Sequence, residues 1–459
     1  MLKINGMNYK NNLLPLSRIL KNILIITIIL LILIFIVVNS SAQTEQQFLS
    51  AKESDPIKMG WMQGFPPPED KRLKMADGSF FKFPALRWSV VHMRQFMPTV
   101  NVLRGIKKPL IPFEYNLDET IDSITFVPWN SDKAMTWEAS LWKNYTDGIL
   151  IIHKGKIVYE RYFAALTELN KHAAMSVTKS FTGTLAAMLV AEGLLDENKT
   201  VVEYVPELQN SAFADTTVRQ VMDMTTALQF SEDYSDPNAE IWQYSAAGSP
   251  LPKPKDYDGP VGYFKYLQTV QKKGEHGKAF GYKTVNADAL GWIISRVSGK
   301  SVAQLLSEKI WQRLGMEQDG YYSVDQLGTP FAGGGFNAGL RDMGRFGELI
   351  RHKGNWKGEQ ILPQKAIEDI QKGGSKEAFA KAGYTKLKGW SYRNMWWITN
   401  NKNRAFAARG VHGQTIYIDP TAEMVIVRFA SHPIAANSAN DPYSLPAYEA
   451  VARYLMEQD

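Results

Sequence analysis

Ser176-Val177-Thr178-Lys179 places a hydroxyl and an amine three residues apart. On a helix, positions i and i+3 share a face, so the Lys179 amine can reach the Ser176 hydroxyl and take its proton. Burial at the foot of an apolar helix would lower the lysine pKa, and the amides of a helix N-terminus would favour a developing oxyanion. The spacing recurs as Ser79-Phe80-Phe81-Lys82 and Ser140-Leu141-Trp142-Lys143, so the motif by itself decides nothing. Context separates the three. Ser79 lies in an irregular stretch and Ser140 just before a hairpin, whereas Ser176 opens the most apolar helical pattern of the chain. The plain alternative for Ser176 is a helix N-cap. For Lys179 it is a solvated first-turn residue, although a cation near a helix N-terminus opposes the helix dipole.

Other chemistries lack their residues. The 459-residue chain has no cysteine, which removes thiolate metal sites, disulfides and cysteine nucleophiles. Its 7 histidines are scattered, and no HExxH, Gly-x-Ser-x-Gly, GxGxxG or Walker pattern occurs. Neither a metal nor a cofactor is implied. The formal charge is +6, but Lys3, Lys10, Arg18 and Lys21 supply four of those charges, leaving roughly +2 for the body and no electrostatic footprint for nucleic acid.

The positioning elements follow from periodicity. A helical stretch near Met135 to Tyr145 precedes Gly148 to Phe163, where two β-branched runs flank Lys154-Gly155 and predict a β-hairpin. From Ser176, Phe181, Leu185, Met188 and Leu189 predict a buried helix ending near Gly193. Further helices are expected at Val218 to Met224, Tyr263 to Lys272, Ala287 to Ser298 and Val302 to Leu314, with a loop at Gly333-Gly334-Gly335. Strands are expected to return only near the end, at Phe406 to Ala408, Gln414 to Asp419 and Met424 to Phe429, before a helix from Tyr448 to Met456. Strands early and late with helices between imply an α+β fold, one antiparallel sheet split by a helical insertion.

With these elements in place, the sequence resembles the serine β-lactamase and penicillin-binding-protein family, and within it the esterase-like and 6-aminohexanoate-dimer hydrolase branch. The first matching motif is Ser176-Val177-Thr178-Lys179 at the start of its helix. The second is Phe280-Gly281-Tyr282-Lys283-Thr284-Val285-Asn286 leading into Ala289-Leu290-Gly291-Trp292-Ile293-Ile294, as the family's tyrosine loop leads into a helix. The third, looser match is Ala408-Arg409-Gly410-Val411-His412-Gly413-Gln414 before a strand and Asp419-Pro420. Thr284 stands where the family's asparagine is usual, and there is no Lys-Thr-Gly.

The resemblance implies a β-lactamase/transpeptidase-like fold over 136–459, with a helical subdomain at about 196–345. It implies catalysis by Ser176 as nucleophile, Lys179 as base and Tyr282 as proton relay, with Thr284, Gly410 and His412 in substrate contact. The oxyanion hole would combine the Ser176 amide with one from Gly410 to His412. The expected partner is a small ester or linear amide. A DD-peptidase or β-lactamase is the alternative in the same fold, and a non-catalytic binding module is the third reading. Tyr282 as aromatic packing and His412 as a turn residue stay open, as do Trp242, Tyr244, Trp396 and Trp397 as pocket walls or core. His172 suggests a Ser-His pair, but the expectation is a solvated loop histidine without an orienting acid.

Residues 43–135, rich in Pro, Trp and Phe without sustained periodicity, read as an irregular arm. In residues 1–42, four basic residues precede the apolar run Ile23 to Val38 and small residues at Ser40 and Ala42, which is signal-peptide architecture or an N-terminal membrane anchor. Both readings place the body outside the cytoplasm. Neither sets an oligomeric state.

Overall fold

Lys154 and Gly155 both take positive φ, 48° and 78°, the pairing a two-residue hairpin turn needs to match strand twist. They join the antiparallel strands Thr146–His153 and Lys156–Tyr162. Ile149 to Ile152 are wholly buried, so both faces of that strand are covered and its sequence shows no alternation.

The chain is described by a computed structural model covering residues 48–458, and Ser50–Asp459 form one compact unit. The hairpin lies near one edge of an eight-stranded sheet. Its order is Ser391–Arg393, Trp396–Ile398, Phe406–Gly410, Gln414–Asp419, Met424–Ala430, Thr146–His153, Lys156–Tyr162, Glu114–Tyr115. All pairs are antiparallel except the last. The late strand Met424–Ala430 thus pairs with the early Thr146–His153. The helices Val177–Ala191 and Leu340–Arg351 pack against this sheet, and Asp441–Glu457 closes the chain beside Trp137–Lys143. This is the antiparallel sheet flanked by helices that the motifs implied.

Several expectations need correction. Strands do not return only near the end: Gly320–Ser323 and Phe336–Ala338 join Thr99–Val102 and His172–Ala173 in a second, four-stranded sheet. These strands are two to four residues long, and Gly320–Ser323 is buried throughout, so no period-2 pattern marks them. Helices Leu340–Arg351 and Glu240–Gly248 were not expected, and Tyr263–Leu267 ends well short of Lys272.

The residues before Trp137 form short turns, single-turn helices and strands of two to four residues, tied to the body by one buried cation. Arg87 donates to Ser54 Oγ (3.1 Å), Ser431 Oγ (3.1 Å) and the Ala51 carbonyl, and pairs with Asp147 at 3.1 Å. The expected leader lies outside the described residues. Among the described residues no helix is long and apolar enough to cross a membrane.

Candidate active site

Met175 takes φ 47°, an uncommon left-handed conformation for a side chain of its size, and turns the chain from the strand His172–Ala173 into the helix Val177–Ala191. Ser176 is the N-cap residue, but its hydroxyl caps nothing, so the plain alternative loses its support. Lys179 Nζ lies 2.8 Å from Ser176 Oγ and donates to the Gly333 carbonyl at 2.7 Å. The same ammonium sits 5.1 Å from the centre of the Tyr282 ring.

Burial sets the electrostatics. Lys179 is 1% exposed, and desolvation pulls its pKa down to about 8, against the negative charges of Glu232 and Asp288 that hold it up. Burial, reinforced by the charge of Glu232, pushes the Tyr282 phenol well above its ordinary range, against a hydrogen bond with Ser176. Tyr282 therefore stays protonated at neutral pH. The amine is the group able to accept a proton there, while the phenol can pass one on.

The structure brings Gly410 to the same place. A Cβ on Gly410 would lie 2.9 Å from the Ser176 nitrogen and 2.9 Å from the Ala174 carbonyl oxygen, so only glycine lets this strand end lie on the backbone at Ser176. Thr284 is buried; its amide donates to the Glu232 carboxylate and its methyl faces Gly333. His412 is buried at φ 62°, its Nδ1 2.7 Å from the His432 carbonyl oxygen and its ring edge-on to Phe81 of the arm. Burial lowers its pKa to about 4, so it is neutral.

Arg409, the cation of the C-terminal strand, is committed elsewhere. It donates to Asp441 and lies 5.0 Å from the Trp397 ring centre. Trp397 also packs on Tyr282 at 5.3 Å, which makes it the pocket-side member of the aromatic candidates. Trp396 is wholly buried, its indole donating to Thr184, and Tyr244 donates to Asp288. Trp242 is half exposed, donating to the Asp236 carbonyl.

The expectation for His172 was wrong. It is fully buried, stacked on Phe429, with Nε2 3.3 Å from Asp147 and Nδ1 2.9 Å from the Ala173 carbonyl oxygen. Both ring nitrogens are engaged, and so neither serves Ser176. The two other Ser-x-x-Lys stretches form no pair: Ser79 Oγ donates to the Lys74 carbonyl, and Ser140 Oγ to the Trp137 carbonyl.

Three participants escaped the sequence reading: Glu232, Asp288 and the Gly333 carbonyl. Glu232 lies in a segment without periodicity. Asp288 carried a signal, a lone carboxylate within an otherwise apolar helix stretch, Ala287 to Ile294.

Residues 138–445 match the family described as Beta-lactamase. The chain belongs to that family. A 6-aminohexanoate-dimer hydrolase of Paenarthrobacter ureafaciens is 32% identical to this Beta-lactamase family member over 356 residues, 77% of this chain and 88% of that protein. A solved structure from Bacillus anthracis, presented as a candidate 6-aminohexanoate-dimer hydrolase, superposes with a TM-score of 0.75 at 35% identity. It covers 82% of this chain and 96% of its own. An octameric penicillin-binding protein homologue from Pyrococcus abyssi shares the fold at TM-score 0.53 and 20% identity, over 69% of this chain and 75% of its own. The protein is a Beta-lactamase-fold serine hydrolase related to 6-aminohexanoate-dimer hydrolase.

Proposed function

We propose that the protein is an exported hydrolase of small esters or linear amides that works through an acyl-enzyme on Ser176. The observation that carries this reading is the buried Lys179 amine 2.8 Å from Ser176 Oγ, with its pKa brought down to about 8. The neutral amine takes the hydroxyl proton as Oγ bonds to the substrate carbonyl carbon. The Ser176 amide and the strand end at Gly410 and Val411 flank the developing oxyanion, the His412 amide being taken by the Ala435 carbonyl at 2.9 Å. As the tetrahedral intermediate collapses, the bond to the alcohol or amine breaks, and the Tyr282 hydroxyl relays a proton from the Lys179 ammonium to that leaving group. Water then attacks the acyl carbon, giving its proton to the Lys179 amine, and Ser176 recovers its own as the acid departs. Thr284, against Gly333, and His412, two residues past Gly410, are the substrate-contact candidates.

The committed state of Arg409 favours esters and linear amides over β-lactams. Its guanidinium is held by Asp441 between Trp390 and Trp397, so it does not stand in for the missing Lys-Thr-Gly lysine. Export rests on the leader pattern alone and is tested by N-terminal sequencing, with a mature start at Gln43 expected. Ser176→Ala tests the chemistry: it should abolish p-nitrophenyl butyrate hydrolysis and fluorophosphonate labelling in a folded protein. Activity above about a tenth of wild type would remove Ser176 from the role.

A further inference from the structure

Lys179 is held from two sides, and only one of them is the nucleophile. The other is the Gly333 carbonyl, in a run of three glycines that Cβ atoms would obstruct. At Gly333 a Cβ would fall 2.5 Å from Thr284 Cγ2 and 3.0 Å from Asp288 Oδ2, and at Gly335 it would fall 2.7 Å from Ser323 Oγ. Glycine admits the close approach but has little intrinsic preference for one backbone conformation, so other groups must fix where the carbonyl points.

Asp288 is placed to do this. It sits fully buried in the helix Val285–Ser298, one turn after Thr284. Its Oδ1 accepts the Ala332 amide at 2.9 Å, the Gly333 amide, which belongs to the Ala332–Gly333 peptide, also hydrogen-bonds to the carboxylate, and the Tyr244 hydroxyl donates to it from a third element. From the other side, Thr182 of the nucleophile helix donates to the Ala332 carbonyl at 2.9 Å. The Ala332–Gly333 peptide is thereby clamped between the helix that carries the serine and the helix that follows the tyrosine. A carboxylate without a role would be a costly choice for such an interior.

We propose that Asp288 is a positioning residue for the base: by anchoring the Ala332–Gly333 peptide it aims the Gly333 carbonyl at Lys179 and thereby turns the amine lone pair toward Ser176. The inference rests on the reading of Lys179 as the base of Ser176. Asp288 touches neither Ser176 nor a substrate in this scheme. It acts through one peptide and through its charge.

Ser176 phosphonylation by a fluorophosphonate, followed by intact mass on the full-length chain from pH 6 to 10, reports on nucleophile and base alone. It needs no identified substrate. The groups facing Lys179 are Glu232 from the loop before Glu240–Gly248, Tyr282 from the tyrosine segment, and Asp288. Burial raises the Asp288 pKa to about 7, so above neutral pH Asp288→Asn keeps the shape but removes one of two negative charges that favour the ammonium. The plateau rate should fall about tenfold from misplacement of the amine, and the acid limb should move to lower pH. Tyr244→Phe loosens the carboxylate without deleting it and should slow labelling about two- to fivefold. A folded Asp288→Asn with wild-type plateau and limb overturns the inference. If that variant does not fold, wild-type labelling by Tyr244→Phe overturns it instead. A wild-type chain inert to the probe sinks the nucleophile reading as well, whereas reactive wild type with indifferent variants sinks this inference alone.

Discussion

Replacing Lys179 by methionine is expected to abolish activity and, at neutral pH, to make the protein more stable. Desolvation brings the lysine from its ordinary 10.5 to about 8, and at 1% exposure there is no solvent to screen the effect. At about 1.4 kcal/mol per pH unit, keeping a protonated Lys179 in the fold costs about 3 kcal/mol at pH 7. Methionine escapes that cost but leaves the buried Gly333 carbonyl without its donor, a loss of about 1–3 kcal/mol. The net gain at pH 7 is about 0–2 kcal/mol. Its sign changes with pH. Between pH 8 and 10.5 the unfolded chain holds the lysine proton and the folded chain has shed it, so wild type gains stability as pH rises while the variant does not. By pH 10 the advantage should be gone or reversed. Urea titrations at pH 7 and pH 10, read by fluorescence of the 12 tryptophans, compare the two proteins. A variant less stable than wild type at pH 7, or a difference that does not change with pH, would refute the account of a buried, depressed lysine.

The same pKa predicts that kcat/KM for p-nitrophenyl butyrate rises about tenfold from pH 7 to pH 9 as the neutral amine fills in, and a flat profile would exclude Lys179 as base. Gly410→Ala should slow Ser176 acylation at least about tenfold, because its Cβ would press on the Ser176 nitrogen; stopped-flow rates within twofold of wild type would contradict this. Short-chain esters or linear amides should exceed nitrocefin and benzylpenicillin at least about tenfold in kcat/KM, about 1.4 kcal/mol, and parity in steady-state assays would show Arg409 to be available after all. Ser79→Ala and Ser140→Ala should leave ester hydrolysis within about twofold of wild type.

What could be read from sequence was what local chemistry dictates. The hairpin was legible because its turn needs two residues at positive φ, and Lys154-Gly155 meets that need. Ser176 and Lys179 were legible because helical spacing brings i and i+3 together before any tertiary contact forms. Tyr282 came into view through family resemblance, since an aromatic residue in a loop has no signature of its own. The misreading of His172 has the opposite cause: its acid, Asp147, sits across the base of the hairpin, and no local pattern reports such a pairing. The second sheet was hidden for a related reason, because its strands are too short to show a period. Asp288 was legible in principle as a carboxylate amid apolar residues, but its partners at Ala332 and Tyr244 each lie 44 residues away.

The pairing of Thr146–His153 with Met424–Ala430 also sets a timetable. At 5–20 residues per second, a ribosome needs roughly 15 to 55 s to make the roughly 270 residues between those strands. Throughout that time the hairpin exists with one long apolar strand edge unclaimed, the feature that invites pairing with another chain. A chain built this way gains little from folding as it emerges and much from being kept extended until its last strand arrives. Holdase binding to nascent chains should therefore persist past residue 400 and fall only once Ala430 has been made.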